Sequence, residues 1–150
     1  MEKVISKKTI AIGNDHAGVK LKNEVVLYLQ TLGYEVINFG TNDSGEPTDY
    51  PIYARNVANS ILEGEAHCGI LICGTGIGIS IVANKIKGIR CAACSDPYSA
   101  KLSKEHNNTN VLAFGARVIS IGLAKMLVDS WLTAEFQGGI HEKRIEMIEG

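Results

Sequence analysis

The feature of this 150-residue sequence best suited to chemistry is a cysteine followed directly by a glycine-rich turn. Cys73 precedes the turn Gly74-Thr75-Gly76-Ile77-Gly78, and a helical segment follows at once. A helix N-terminus attracts negative charge, so a thiol here would be favoured as a thiolate and could act as a base. The backbone N–H groups of such a turn suit a phosphate or a developing oxyanion. From position alone, an inert core cysteine beside a plain tight turn is about as well supported.

The turn does not match the common nucleotide-binding motifs. A dinucleotide fingerprint would need a third glycine at position 79, which is Ile79. No Gly-Lys-Ser/Thr follows to make a P-loop.

Other polar residues come directly after candidate strands, where an open α/β sheet binds its ligands. They are Asp15 and His16, Asp96 and Arg117, and we expect His106 to join them at the same edge of the sheet. Each also has an ordinary structural explanation: Asp15 as a helix cap, His106 as a cation at a helix C-terminus, and Asn107 as a turn residue. Convergence of a base, two histidines and acids on one edge favours a catalytic site.

Short apolar runs alternate with helical segments, which is typical of βαβ units. We predict strands at 9–14, 34–38, 69–73, 91–94 and 111–114. The predicted helices include a buried face at Leu21, Val25, Leu29 and Leu32, with further helices at 51–62, 79–86, 97–106 and about 123–131. The predicted fold is a single-domain α/β protein over 1–150, a Rossmann-like three-layer sandwich with a five-stranded parallel sheet and helices on both faces. Gly138-Gly139 separates a C-terminal helical tail at about 139–150.

The composition excludes several classes of protein. With 45% hydrophobic and 21% charged residues the chain is globular, and its net charge of −1 gives no field that would hold a nucleic acid. No apolar run approaches the roughly 20 residues of a membrane helix, and the first residues lack the pattern of a secretory signal. We therefore expect a cytoplasmic protein with neither a nucleic acid nor a membrane as partner.

Four cysteines raise the question of a zinc site or disulfides. Cys91 and Cys94 have the spacing of a redox or zinc motif but lie in a predicted strand, where residues three apart point to opposite faces. We therefore expect buried thiols and no metal.

Several blocks of the sequence resemble the type B ribose-5-phosphate isomerases and their galactose-6-phosphate and allose-phosphate isomerase relatives. The similarity spans nearly the whole chain, in one order of motifs. The blocks are Gly13-Asn14-Asp15-His16-Ala17-Gly18, Thr48-Asp49-Tyr50-Pro51, Cys73 to Ser80 with Ala83-Asn84-Lys85, and His106 to Leu112.

The resemblance implies a cofactor-free aldose–ketose isomerase that acts through an enediolate. It implies Cys73 as the base, Thr75 as a helper in proton exchange, and His106 as the group that opens the sugar ring. The residues implied to bind substrate are Asp15, His16, Gly74, Thr75, Gly76, Ile77, Gly78, Asn107, Arg117, His141 and Arg144. The last two belong to a tail that would contribute to the phosphate site, partly across the interface of a homodimer, with a tetramer also possible.

One position departs from the family pattern. The family tail often reads Gly-Gly-Arg-His, whereas this sequence has Ile140 in place of the arginine. Arginine binds phosphate bidentately, so its absence weakens the expected phosphate site. The preferred substrate therefore stays open between a pentose phosphate and allose or galactose 6-phosphate. Two other classes also remain open: a non-catalytic flavodoxin-like binding module and a zinc enzyme.

Overall fold

The computed structural model describes residues 9–150, which build a parallel five-stranded sheet. The strands are β1 Thr9–Asn14, β2 Glu35–Asn38, β3 Cys68–Cys73, β4 Cys91–Ala93 and β5 Val111–Gly115. They lie side by side in the order β2-β1-β3-β5-β4. The predicted α/β fold with a five-stranded parallel sheet is confirmed.

Six α-helices and one short 3-10 turn connect and cover these strands within the described part of the chain. They are the turn His16–Gly18, α1 Val19–Thr31, α2 Tyr50–Leu62, α3 Ile77–Asn84, α4 Pro97–Asn107, α5 Ile121–Thr133 and α6 Ile140–Glu149. Sequence signals account for several starts: Asp96 caps α4 by accepting a 2.7 Å hydrogen bond from the Ser99 N–H, and Ser120 caps α5. None of these helices is long and apolar enough to cross a bilayer.

Two apolar layers cover the two faces of the sheet. Along β1, Ile10 and Ile12 pack into the layer that contains α1 and α5, while Ala11 between them faces the layer of α2 and α3. Both faces of the central strands are thus buried, which explains their continuous apolar sequences.

Some predicted boundaries shift by one or two residues. Leu32 was expected on the buried face of α1, but the helix ends at Thr31 and the Leu32 side chain is 47% exposed. The α3 helix begins at Ile77, so the last two residues of the predicted turn form its first turn. The fourth strand stops at Ala93, one residue before its predicted end.

Cys91 and Cys94 lie on opposite faces of the sheet, as predicted. Cys94 is buried in the layer of α1 and α5, and Cys91 packs against the layer of α2 and α3. Both are free thiols.

Candidate active site

The Cys73 thiol lies at the carboxyl end of central strand β3 and is held by the turn that follows it. Its side chain is buried, with the residue 5% exposed, and the Gly76 N–H donates a 3.2 Å hydrogen bond to Sγ. This hydrogen bond fixes the sulfur at the point where the strand passes into the turn.

The turn is pressed against the end of β5, and only glycine allows this. Gly76 has φ +79°, and a Cβ there would lie 2.7 Å from the carbonyl carbon of Phe114. On the facing strand, a Cβ at Gly115 would lie 2.6 Å from backbone atoms of Thr75. Two glycines facing each other bring the Cys73 turn and the end of β5 into backbone contact.

The same close approach places Arg117 over the turn. The Arg117 N–H donates a 3.0 Å hydrogen bond to the Gly74 carbonyl oxygen. The guanidinium lies directly above Gly74, since a Cβ there would be 3.1 Å from Arg117 Nη1. A fixed positive charge thus adjoins the thiol's turn, as the strand-end position of Arg117 predicted.

The N–H groups of the turn are less available than the sequence suggested. Besides the Gly76 N–H bound to sulfur, the Ile77 N–H donates to Thr75 Oγ1 at 3.2 Å. The next N–H groups, those of Gly78 and Ile79, belong to the first turn of α3, where a helix provides no intrahelical acceptor. An oxyanion cradle at this turn would therefore draw on the start of α3 and not on the Gly76 and Ile77 N–H groups.

Asp15 and His16 follow β1 at the same edge. Asp15 is buried and caps the 3-10 turn, since its Oδ1 accepts a 3.0 Å hydrogen bond from the Ala17 N–H. Its own N–H donates to the Ile72 carbonyl oxygen on β3, next to Cys73. The capping role expected for Asp15 is present, and the same bonds hold it beside the cysteine strand.

The segment between β2 and α2 is anchored over this edge by residues that the sequence analysis gave no role. Lys22, fully buried on α1, and Asn14 at the end of β1 both donate 3.1 Å hydrogen bonds to the Thr41 carbonyl oxygen. Burial lowers the pKa of the Lys22 ammonium. Further along, Thr48 bonds to His16, and the Tyr50 ring packs on Gly78, where a Cβ would lie 2.7 Å from Cζ.

His106 and Asn107 lie at the opposite edge of the sheet, which corrects the expectation that all site residues converge within one chain. The α4 helix begins right after β4, at the carboxyl edge, and runs antiparallel to the strands. At 1.5 Å per residue its eleven residues cover roughly 16 Å, so its last residues reach the amino edge. There, Arg90 just before β4 donates to the carbonyl oxygens of Asn107 and Asn108.

The C-terminal helix α6 joins this second group. The rings of His106 and His141 stack with centroids 4.2 Å apart and planes 7° apart. At the other end of α6, Glu149 forms a 2.7 Å ion pair with Arg90. Burial lowers the pKa of His141, and the positive charges of His106 and Arg144 lower it further.

The expected site residues thus form two half-sites. The carboxyl-edge half-site consists of Asp15, His16, Cys73 to Gly78 and Arg117. The amino-edge half-site consists of His106, Asn107, His141 and Arg144.

The model of the family described as Ribose/Galactose Isomerase matches residues 10–148. The chain belongs to the ribose/galactose isomerase family. It is 58% identical over 141 residues to ribose-5-phosphate isomerase B of Escherichia coli, with 94% of each chain covered.

Two further family members illustrate the structural similarity and the range of substrates within the family. The solved structure of Clostridium thermocellum ribose-5-phosphate isomerase B superposes with a TM-score of 0.92 at 51% identity, covering 94% of this chain and 95% of that one. The D-erythrulose-4-phosphate isomerase of Pectobacterium atrosepticum is 47% identical, covering 93% of this chain and 92% of that one. The family is one of isomerases, and its members differ in substrate.

The remaining cysteines of this isomerase-family chain are placed for packing. Burial raises the pKa of Cys68 and of Cys94 to about 11, and it raises that of Cys91 as well. In residues 9–150 no group of three or more histidine, cysteine, aspartate or glutamate side chains is placed to hold a metal ion.

Proposed function

We propose that this protein interconverts ribose 5-phosphate and ribulose 5-phosphate, with Cys73 as the base. The observation that carries the proposal is the Cys73 thiol, hydrogen-bonded to a backbone N–H at the carboxyl edge of the sheet. Support comes from the 58% identity with a ribose-5-phosphate isomerase B. We place the reaction in the pentose phosphate pathway and in the cytoplasm.

The chemistry is a proton transfer between two neighbouring carbons. The Cys73 thiolate removes the proton from C2 of the open-chain aldose, which gives an enediolate, and the proton returns to C1 of the ketose. Thr75 Oγ1 accepts from the Ile77 N–H, so its own hydroxyl proton is left to donate to a sugar oxygen. Thr75 thereby assists proton exchange between O1 and O2.

A base alone is too weak for abstraction of a proton next to a carbonyl. A positioned base contributes typically 10²–10⁴-fold. A preorganised N–H that faces the developing oxyanion adds about 2.7–4 kcal/mol. The first turn of α3 supplies such donors beside the thiol, so Gly78 and its neighbours stabilise the enediolate while Asp15 and Gly74 hold the sugar.

A second copy of the chain completes the site. Because His106 and Asn107 lie at the far edge of their own sheet, the ring-opening group for Cys73 comes from a partner's amino-edge half-site. Both half-sites have exposed apolar side chains nearby: Ile77 and Ile81 on α3 are 57% and 54% exposed, and Met147 on α6 is 77% exposed. Burial of these surfaces would stabilise a homodimer, and the same contacts are compatible with a tetramer.

The phosphate then lies between the two copies. His16 and Arg117 approach it from the copy that provides Cys73, and His141 and Arg144 approach it from the partner. Arg117 and Arg144 are both exposed, as groups that bind a ligand across an interface must be before assembly.

The test is conversion of ribose 5-phosphate by the purified protein with EDTA present and no added cofactor. The Cys73→Ala variant should lose at least about 100-fold in kcat, because its base is gone. Cys91→Ala is the matched control, since Cys91 is a half-buried free thiol outside the site, and it should keep near wild-type turnover. Full turnover by Cys73→Ala would exclude the thiol as the base.

A six-carbon sugar phosphate is the second candidate substrate, and Ile140 is the observation that favours it. Ile140 begins α6 and is 61% exposed where the family pattern has an arginine. The same assay run with allose and galactose 6-phosphates compares kcat/KM directly. If ribose 5-phosphate is the substrate, Ile140→Arg should lower its KM, because a guanidinium binds the phosphate bidentately. A higher kcat/KM for either hexose phosphate would replace ribose 5-phosphate as the assigned substrate.

A further inference from the structure

Two residues from separate parts of the chain, His16 and Thr48, exchange a pair of hydrogen bonds. The His16 backbone N–H donates to Thr48 Oγ1 at 2.9 Å. In return, the Thr48 backbone N–H donates to the His16 ring nitrogen Nδ1 at 3.0 Å. The pair ties the start of the 3-10 turn to the segment that precedes α2.

The second of these bonds fixes the position of the proton on the imidazole. A backbone N–H can only donate, so Nδ1 must offer its lone pair. The single proton of the neutral ring is then on Nε2. A proton on Nδ1, whether in the other tautomer or in the imidazolium, would face the Thr48 N–H and break the bond.

The Nε2–H is left for a ligand. No hydrogen bond recorded within residues 9–150 uses Nε2 of His16, and the side chain is partly exposed at the same edge as Cys73. Arg117 supplies a permanent positive charge at this edge, so His16 need not be charged for an anion to bind.

We propose that Thr48 is a positioning residue that fixes His16 as a neutral Nε2–H donor to the phosphate of the substrate. This inference rests on the proposed function for the identity of the ligand, but the tautomer itself does not depend on it.

The segment that carries Thr48 is held firmly enough for this role. The Phe39 N–H donates to the Ile12 carbonyl oxygen at 2.8 Å, and Lys22 and Asn14 hold Thr41. On the other side of Thr48, α2 begins at Tyr50. Thr48 therefore lies between two anchored points, and a side chain held in this way loses little additional entropy when it positions a neighbour.

Two variants of His16 distinguish a phosphate-binding role of its Nε2–H from a purely structural role of the His16–Thr48 pair. Glutamine places an amide N–H near the position of Nε2, whereas asparagine places its amide near the position of Nδ1. If the Nε2–H is the working group, His16→Gln should keep KM within about three-fold of wild type, and His16→Asn should raise KM by about ten-fold or more. Equal KM values for the two variants would overturn the proposal.

The role of the Thr48 side chain is tested by whether its removal changes KM or kcat. Thr48→Val removes the acceptor for the His16 N–H and should raise KM by about three- to ten-fold with kcat little changed. Thr48→Ser should restore KM, since it keeps the hydroxyl. Thr41→Val is the matched control: within residues 9–150 it removes a hydroxyl that bonds only to Asp43, and it should leave both constants unchanged. A fall in kcat at constant KM for Thr48→Val would contradict a phosphate-positioning role.

The tautomer is measured directly on the wild-type protein by long-range ¹H–¹⁵N correlation NMR of the imidazole rings, with His16→Gln used to assign the signals. The expected result is a proton on Nε2 of His16 and a bare Nδ1, with the Nε2 signals moving when inorganic phosphate is added. A proton on Nδ1 would overturn the proposal even in an active isomerase. An Nε2–H tautomer that responds to phosphate, in a protein that does not convert ribose 5-phosphate, would uphold it while the substrate assignment fails.

Discussion

At the scale of single residues, Gly76 is the residue whose backbone conformation positions the Cys73 thiol. Its positive φ lets the turn after β3 bend back, so its N–H reaches Cys73 Sγ, and its missing side chain lets the turn touch β5. Any other amino acid would add a Cβ against β5, and most would also be strained at this positive φ. The thiol is thus positioned by backbone geometry.

We predict that Gly76→Ala lowers the free energy of unfolding by more than the left-handed conformation alone would cost. A non-glycine residue at positive φ costs roughly 1–2 kcal/mol, and here a Cβ would also lie within 2.7 Å of the β5 backbone. Gly138→Ala is the control, because Gly138 has φ +66° with no atom within 4 Å of a Cβ. Urea unfolding of both variants gives the two costs, and equal values would contradict the close packing of the turn against β5.

We also predict that iodoacetamide modifies Cys73 before the other three cysteines of the folded protein. The thiolate is the reactive form, and burial raises the pKa of Cys68 and Cys94 to about 11. Mass spectrometry of samples labelled near neutral pH measures the order, and ribose 5-phosphate should slow modification of Cys73 alone. Faster labelling of Cys68 or Cys94 would contradict the assignment of Cys73 as the site thiol.

At the scale of elements, α6 is the helix whose position depends on a titratable contact. Its His141 ring stacks on His106 of α4, and its end is tied to Arg90 by Glu149. Outside these contacts the helix is mostly exposed and has no fully buried residue. The docking of α6 therefore rests on a few polar groups, one of which is the titratable ring of His141, whose pKa is lowered.

We predict that α6 docks less firmly as the pH falls below the ordinary histidine pKa of 6.5. The pKa of His141 is lowered in the folded protein, so the undocked state binds its proton more readily. The stabilising contribution is complete above about pH 6.5 and is lost as the pH falls from there towards the lowered pKa. Amide exchange of α6, corrected for intrinsic rates, measures this at two pH values.

The control for that experiment is His141→Gln, which cannot take up a proton. Its α6 protection should depend less on pH than that of the wild type. Protection in the wild type that is unchanged or higher at the lower pH would contradict the stacked histidine pair as a determinant of docking.

The elements also show what the sequence could predict. Apolar runs and glycine and proline signals predicted all five strands to within one or two residues. The central strands are buried on both faces, and α4 and α5 begin at capping side chains. The Cys73 turn and Arg117 were likewise correctly assigned to one edge, since both directly follow strands. Thr48 and Lys22 were missed as contributors, because their roles depend on hydrogen bonds to residues 19 to 32 positions away.

At the scale of the whole molecule, the direction of α4 determines what one chain can do. His106 is nine residues beyond the start of a helix that runs away from the Cys73 edge, so the two groups are at opposite ends of the sheet. The sequence analysis treated every polar residue near a strand as converging on one edge, and the path of α4 shows why that was wrong within a single chain. Under the function we propose, a second copy of the chain must therefore supply the ring-opening group.

Mixed dimers test this central claim most directly. Cys73→Ala removes the base, and His106→Asn removes the ring-opening group, so each homodimer should convert the ring-closed sugar poorly. In a heterodimer of the two variants, isolated through two different affinity tags, one site carries both substitutions and the other carries neither. The account predicts that this heterodimer recovers about half of the wild-type activity on ribose 5-phosphate. A heterodimer no more active than its parent variants would contradict a site that is shared between two copies.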